Sequence, residues 1–313
     1  LKIQSKAISC KPFIHSKKRS NTLQCYLMLS TQIIGFLVLT VYPICWAAKF
    51  SWFYYDGAIC NTRFVGWENF IKIFTEDAMY WKTWLTTLQF ALVKLPIELP
   101  LAMYLAVLLN KKLKGKGFFR AVFYLPNIIS IAIVGLIFSN IFDYFGVINS
   151  LLVKFHIVKQ EVDWFINKGT AMAVLVCGSI WCSFGINILY FLAALKNVPE
   201  ELYDCAYLDG ASKRTIFFKI TLPMMAPVMQ TIILLSVNGT LQINEYILVM
   251  TNGAPGGKTF TVMSYLVSKF VPGFAQTSVN IGYGCALSLV TSALMALIAF
   301  AYMKLSKKLS EIY

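Results

Sequence analysis

Lys94 and Glu98 stand four residues apart in an otherwise apolar run at about 83–109, beside Pro96 and Pro100. Four residues make about one helical turn, so the ammonium and the carboxylate share a face and can pair. Ionisable groups are costly in a helix that crosses a bilayer, and they turn toward the bundle interior or a cavity. The pair therefore reads either as a structural tie between helices or as a polar station on a solute path. The two prolines free backbone carbonyls and predict a kink. A second set, Asn238, Gln242 and Glu245, follows an i, i+4, i+7 spacing in the run 224–250, with Gly239 and Asn244 close by. A helix would put all three on one face. Facing lipid they would stay unsatisfied, so they predict an interior stripe. Amides and a carboxylate suit the hydroxyls of a polar solute, or hydrogen bonds between helices.

Covalent chemistry has no comparable set of residues. His15 and His156 are the only histidines, and the eight cysteines (10, 25, 45, 60, 177, 182, 205 and 285) contain no C-x-x-C pair. No Ser/His arrangement, metal-ligand cluster or cofactor motif is present, so the chain reads as a non-enzyme. Gly253 to Thr259 approaches a phosphate-binding loop, but the first glycine of that motif would fall on Asn252. The motif also needs a strand before it and a helix after it, whereas this stretch follows an apolar run. It reads as a turn, which leaves the chain without an ATP site of its own.

The elements that position these groups follow from composition. Of the 313 residues, 58% are hydrophobic and 13% charged, against roughly 45–50% apolar and 25% charged in soluble domains. Several apolar runs reach the ~20 residues that cross a bilayer as a helix. The fold class is all-α, a polytopic membrane protein with spans at about 26–48, 83–109, 121–142, 171–195, 224–250 and 280–303. A basic segment, 1–24, precedes a membrane domain, 25–308, and a short tail, 309–313, follows it. The first run is too long for a signal-peptide core and reads as an uncleaved span. Trp52, Phe53, Tyr54 and Tyr55 after it form an aromatic girdle. Gly282, Cys285, Ala286 and Ser288 in the last run suit close helix packing.

The net charge of +14 is distributed by topology. With the N-terminus inside and six spans, the inner segments hold eighteen Lys/Arg and the outer connectors eight. That bias puts both termini, the 111–120 cluster and the stretch 196–223 in the cytoplasm. No basic patch interleaved with aromatic residues points to nucleic acid.

The stretch 196–223 is a polar island between two apolar runs. Pro199 suits a helix start. Leu202, Cys205, Ala206 and Leu208 would group on one side, with Glu200, Glu201 and Asp204 in water. Asp209-Gly210 ends that helix, because glycine accepts the left-handed conformation. Ser212 can cap a second helix with Ile216, Phe217 and Ile220 toward the membrane and Lys213, Arg214 and Lys219 toward water. The physical pattern alone fits a surface helix–turn–helix, either a docking loop or a plain amphipathic connector.

The residues Asp204-Cys205-Ala206, Asp209-Gly210-Ala211, Phe217, Ile220 and Leu222-Pro223 resemble the "EAA" loop of ABC-importer permeases, with Asp for the leading Glu and Cys for the first Ala. Further similarity to the carbohydrate-type permeases of the maltose and glycerol-phosphate kind lies in Phe64–Phe70, in Phe118-Phe119-Arg120 with Leu125-Pro126, in Trp181, Gly185 and Leu195, and in Thr251–Pro255. The resemblance implies a type I ABC-importer permease in a bacterial plasma membrane. It implies that Glu200, Glu201, Asp204, Cys205, Ala206, Asp209, Gly210 and Ala211 form a coupling loop that docks on a cytoplasmic ATPase. It further implies two ATPase subunits that bind the ATP, a second permease subunit and an extracytoplasmic solute-binding protein. The solute would be a sugar, oligosaccharide, polyol or glycerol-phosphate, moved by alternating access. The rival reading is an ion-coupled secondary transporter with Glu98 or Glu245 as its proton site. Internal repeats would favour it, and none is evident.

Overall fold

The computed structural model describes residues 14–111, 114–270 and 279–310. Most of the basic segment 1–24, Lys112 and residues 311–313 of the tail lie outside the described residues. The chain opens with α1 (Ile14–Phe36) and α2 (Tyr42–Phe50), joined by a π turn at Leu37–Val41. Pro43 explains that turn. It brings no N–H to the carbonyl four residues back and its ring crowds that carbonyl, so the ladder slips a register. Gln24–Phe50 is apolar and its most hydropathic window has no buried residue, as expected of a span that meets lipid on most sides.

A two-stranded antiparallel hairpin follows, β1 (Phe53–Tyr54) against β2 (Arg63–Phe64), and then α3 (Glu68–Thr75). The buried Asn69 amide ties α3 to this turn by donating to the Ser51 and Phe53 carbonyls at 2.9 and 3.1 Å.

The bundle is built around α4 (Ala78–Asn110). At about 1.5 Å per residue its 33 residues span ~50 Å, more than the ~30 Å hydrocarbon core. The Asp77 carboxylate caps it by accepting from the Tyr80 amide at 3.0 Å. The helix runs unbroken through Pro96 and Pro100.

The predicted single span 121–142 divides into α5 (Lys116–Ile128) and α6 (Ile131–Ile141), bent by 94°. Ile129 and Ser130 are extended there. The second half turns aside onto the short helix α12 (Glu245–Met250), for which Gly135 leaves room. Beyond α7 (Val147–Lys154), α8 (Lys168–Leu195) runs alongside α4 over most of its length.

The polar island folds into α9 (Glu200–Leu208) and α10 (Lys213–Ile216). α10 does not lie flat as a separate surface helix. It continues through a second π turn, Phe217–Thr221, into α11 (Leu222–Leu241), so Lys213–Leu241 is one 29-residue apolar helix. Pro223 again sits just past the π turn. The fifth span thus begins at 213 rather than 224, and the loop shortens to 196–212. At its other end α11 stops at Leu241. The chain breaks at Gln242–Asn244 before α12 (Glu245–Met250), so the predicted helix 224–250 is not continuous.

A turn at 251–259, α13 (Val262–Phe270) and α14 (Ile281–Ser310) are the last described elements. Gly282 lets α14 seat directly on the Phe53 carbonyl, where a Cβ would collide with backbone. The described residues hold five helices long and apolar enough to cross a membrane, or six with α5–α6 counted as one span.

Among the described residues three buried clusters form the core, and α4 contributes to each. Ala102 and Ala106 meet Ile188, Leu192 and Met225. Tyr80 and Trp84 meet Val262 and Leu287. Phe90 meets Val134, Leu175 and Tyr246. Between helices in a bilayer there is little hydrophobic drive, so small residues and hydrogen bonds set these contacts.

Candidate functional site

Lys94 and Glu98 lie near the middle of α4, 5% and 1% exposed. The ammonium sits 3.3 Å from Glu98 Oε2, close enough to pair but off the hydrogen-bonding axis. Glu98 Oε1 is satisfied from the neighbouring helix α8: Ser183 Oγ and Asn187 Nδ2 each donate to it at 2.7 Å. α11 supplies the rest. Lys94 donates to Thr240 Oγ1 at 3.2 Å, and Ser236 Oγ donates to Asn187 Oδ1 at 3.1 Å. One ion pair, one amide and three hydroxyls therefore join three helices at half depth. A buried pair balances its desolvation only with such additional hydrogen bonds.

This network borders a cavity of about 460 Å³. Its walls include Asn127, Ser179, Tyr190, Gln242 and Asn244, with Ile131, Ile186 and Leu235 as apolar surface. The break after α11 brings Gln242 and Asn244 to it. Gln242 donates to Asn238 Oδ1 at 2.9 Å, so that pair stays together, but both side chains are exposed in this chain and of the two only Gln242 lines the cavity, so the expected interior stripe does not form. Glu245 does not join them. It opens α12 after the break, exposed and away from the cavity, because the helix that would have aligned it with Asn238 ends at Leu241.

Sequence reasoning passed over Ser183, Asn187, Ser236 and Thr240. The spacing was readable: Ser179, Ser183 and Asn187 recur every four residues in α8, and Ser236 and Thr240 do so in α11.

At the end of the bundle where α4 and α8 terminate, α9 is held by a few contacts and otherwise open. Pro199 is its N-cap. Val198 and Ala206 are buried, and Tyr203 OH lies 3.2 Å from Thr221 Oγ1 in the π turn. Glu200, Glu201, Asp204, Cys205 and Asp209 are exposed, and Ala211 is half-buried. Leu202, Cys205 and Leu208 do not turn inward with Ala206. Leu208 is 89% exposed and Tyr207 57%, because α9 stands out from the bundle with only its Ala206 edge in contact. Gly210 takes φ +72°, the Ala211 amide donates back to the Ala206 carbonyl at 2.9 Å, and Ser212 Oγ caps the following helix through the Thr215 amide at 3.2 Å.

The opposite end is fastened by Asp77. Its carboxylate accepts from Tyr265 OH at 2.7 and 2.9 Å and from Tyr283 OH at 2.7 Å, tying α13 and α14 to the cap of α4.

An exposed, carboxylate-rich helix at one end and a polar cavity at half depth, joined through one long helix, fit a transport subunit. Residues 98–311 match the family described as binding-protein-dependent transport system inner membrane component. The chain belongs to this family. It is 33% identical over 291 residues to the probable ABC transporter permease protein YesP of Bacillus subtilis, covering 92% of each chain. It is 32% identical to the arabinooligosaccharides transport system permease protein AraP of the same organism, over 90% of this chain and 88% of that one. A solved bacterial alginate ABC transporter, in complex with alginate pentasaccharide-bound periplasmic protein, shares the fold. Its TM-score is 0.80 at 20% identity, covering 94% of this chain and 97% of that one. The protein is thus a multi-pass permease component of an ABC importer, a transport subunit and not an enzyme.

Proposed function

We propose that this chain forms half of a pathway importing a carbohydrate or related polyol across a bacterial plasma membrane. The cavity of Lys94, Glu98 and Gln242 would lie on that path, and the loop 196–212 would be its coupling element. The observation that carries the reading is the continuity of Lys213–Leu241. One end of that helix is capped by Ser212 beside α9, and the other presents Ser236 and Thr240 to the Lys94–Glu98 network. A displacement of α9 therefore has a path to the cavity wall along one continuous helix. Hydroxyl-rich solutes suit the amides and hydroxyls around the cavity, and relatives are named for arabinooligosaccharides and, in Rhizobium radiobacter, lactose.

The working complex would add a second permease subunit, two ATPase subunits at the α9 end and a solute-binding protein at the Asp77 end. The excess of Lys and Arg at the α9 end supports a cytoplasmic position for that end and for both termini. On the ATPase, the coupling loop would present Glu200, Glu201, Asp204 and Asp209 around Tyr207 and Leu208.

Cys205 gives the test. In a variant that keeps only this cysteine, cross-linking to a single cysteine on the ATPase subunit should form and should change in yield with bound nucleotide. Absence of the cross-link in every nucleotide state contradicts docking through α9.

A further inference from the structure

Lys94 and Glu98 are the only charged side chains lining the half-depth cavity among the described residues. Their charges cancel. Among the described residues Glu98 Oε2 is buried and has no hydrogen-bond donor, while Oε1 already has two. Lys94 has three N–H donors, and Thr240 takes one of them. The pair thus offers an open acceptor beside spare donors in a site with no net charge. A sugar hydroxyl matches both, because it donates and accepts at the same oxygen. A carboxylated solute would bring a second anion against Glu98, and an amine a second cation against Lys94. Neither finds a spare counterion.

We infer that Lys94 and Glu98 set the charge selectivity of the path, admitting neutral polyhydroxylated solutes and rejecting uronates and amines. This rests on the importer reading above. Relatives do not decide it by name, since they include permeases for lactose and for sulfoquinovosyl glycerol. In the present conformation Oε2 is closed off between helices. A hydroxyl reaching it as the helices part gains a bond that the closed bundle lacks. Gln242 and Asn244, on the break after α11, contribute further neutral donors and acceptors to the same wall.

The test uses the purified permease–ATPase complex held with a non-hydrolysable ATP analogue. Equilibrium dialysis against neutral malto-, cello- and arabinotrioses and against trigalacturonate should show retention of at least one neutral trisaccharide and exclusion of the uronate. Glu98→Gln leaves the ammonium unbalanced and should shift the neutral-to-uronate ratio toward the uronate by about tenfold or more. The double variant Lys94→Met/Glu98→Gln should restore the neutral preference.

Loss of the neutral sugar in Glu98→Gln with no gain of the uronate means a merely structural pair and overturns the proposal. So does wild-type binding of trigalacturonate as tight as that of any neutral sugar, or no binding at all. ATP-driven uptake of the same panel, measured with the binding protein present, separates the two levels. Uptake without the charge preference overturns only this inference, and no uptake of any carbohydrate overturns the importer reading as well.

Discussion

The Lys94 ammonium donates to the Thr240 hydroxyl at 3.2 Å, one residue before the 29-residue helix that begins at Lys213 comes to an end. The contact spans two helices that share the core of the bundle, and it sits where the chain leaves α11 for the break. A rigid shift of α11 makes or breaks it.

Thr240→Val keeps the volume and removes the acceptor. Polar contacts between membrane helices average about 0.6 kcal/mol and reach ~1.7, and the charged donor puts this one toward the upper end. A loss of about 1 kcal/mol is expected in the thermal unfolding of the purified complex. The loss should be non-additive with Lys94→Met, which removes the same bond.

Lys94→Met leaves the Glu98 carboxylate buried without its counterion. Breaking a buried pair from one side costs about 3–5 kcal/mol, whereas replacing both partners with apolar groups is often neutral. The single variant should fall in folded yield, read by fluorescence-detected size exclusion. Lys94→Met/Glu98→Met should recover most of that yield while losing uptake. A double variant as poor as the single would contradict the pairing.

Gly185→Ala should be worse than Gly178→Ala. A Cβ at 185 meets the Phe123 carbonyl of α5, which is backbone and cannot rotate away. At 178 it meets the side chains of Tyr246 and Phe138, which can yield in part. Overpacking of this kind costs ~1–3 kcal/mol, so Gly185→Ala belongs at the top of the range and Gly178→Ala lower, as compared by thermal unfolding.

Gly210 has φ +72°, and among the described residues nothing beyond its chain neighbours stands within 4 Å of where its Cβ would be, so a substitution acts through the backbone. Alanine in that left-handed conformation costs about 1–2 kcal/mol and should weaken coupling modestly. Proline cannot adopt the angle. Gly210→Pro should reach the membrane in normal amount and lose ATP-driven uptake. Full uptake in that variant would count against the loop as a coupling element.

The sequence made the membrane class and most spans legible because hydropathy integrates over some twenty residues. It did not show where spans bend. Ile129-Ser130 interrupts a run that stays apolar, and the polar residues of Gln242–Asn244 read equally well as one face of a continuous helix. The bends arise from packing: α6 and α12 turn aside and lie against each other around Gly135. Lys94 and Glu98 were readable as a pair because both lie on one helix. Their partners Ser183, Asn187 and Thr240 come from other helices, and serine or threonine in an apolar helix is too common to stand out singly. Leu208 was misread because amphipathic patterning assumes that apolar means inward, whereas α9 exposes it on a projecting loop.

Uptake into proteoliposomes that hold this chain with its partner permease and ATPase subunits, supplied with the solute-binding protein, ties these elements together. Accumulation should require ATP hydrolysis, should persist when the proton gradient is collapsed, and should disappear in Gly210→Pro. Accumulation that continues with a non-hydrolysable ATP analogue, or that stops on collapse of the proton gradient alone, contradicts ATP-driven transport through α9 and the Lys213–Leu241 helix.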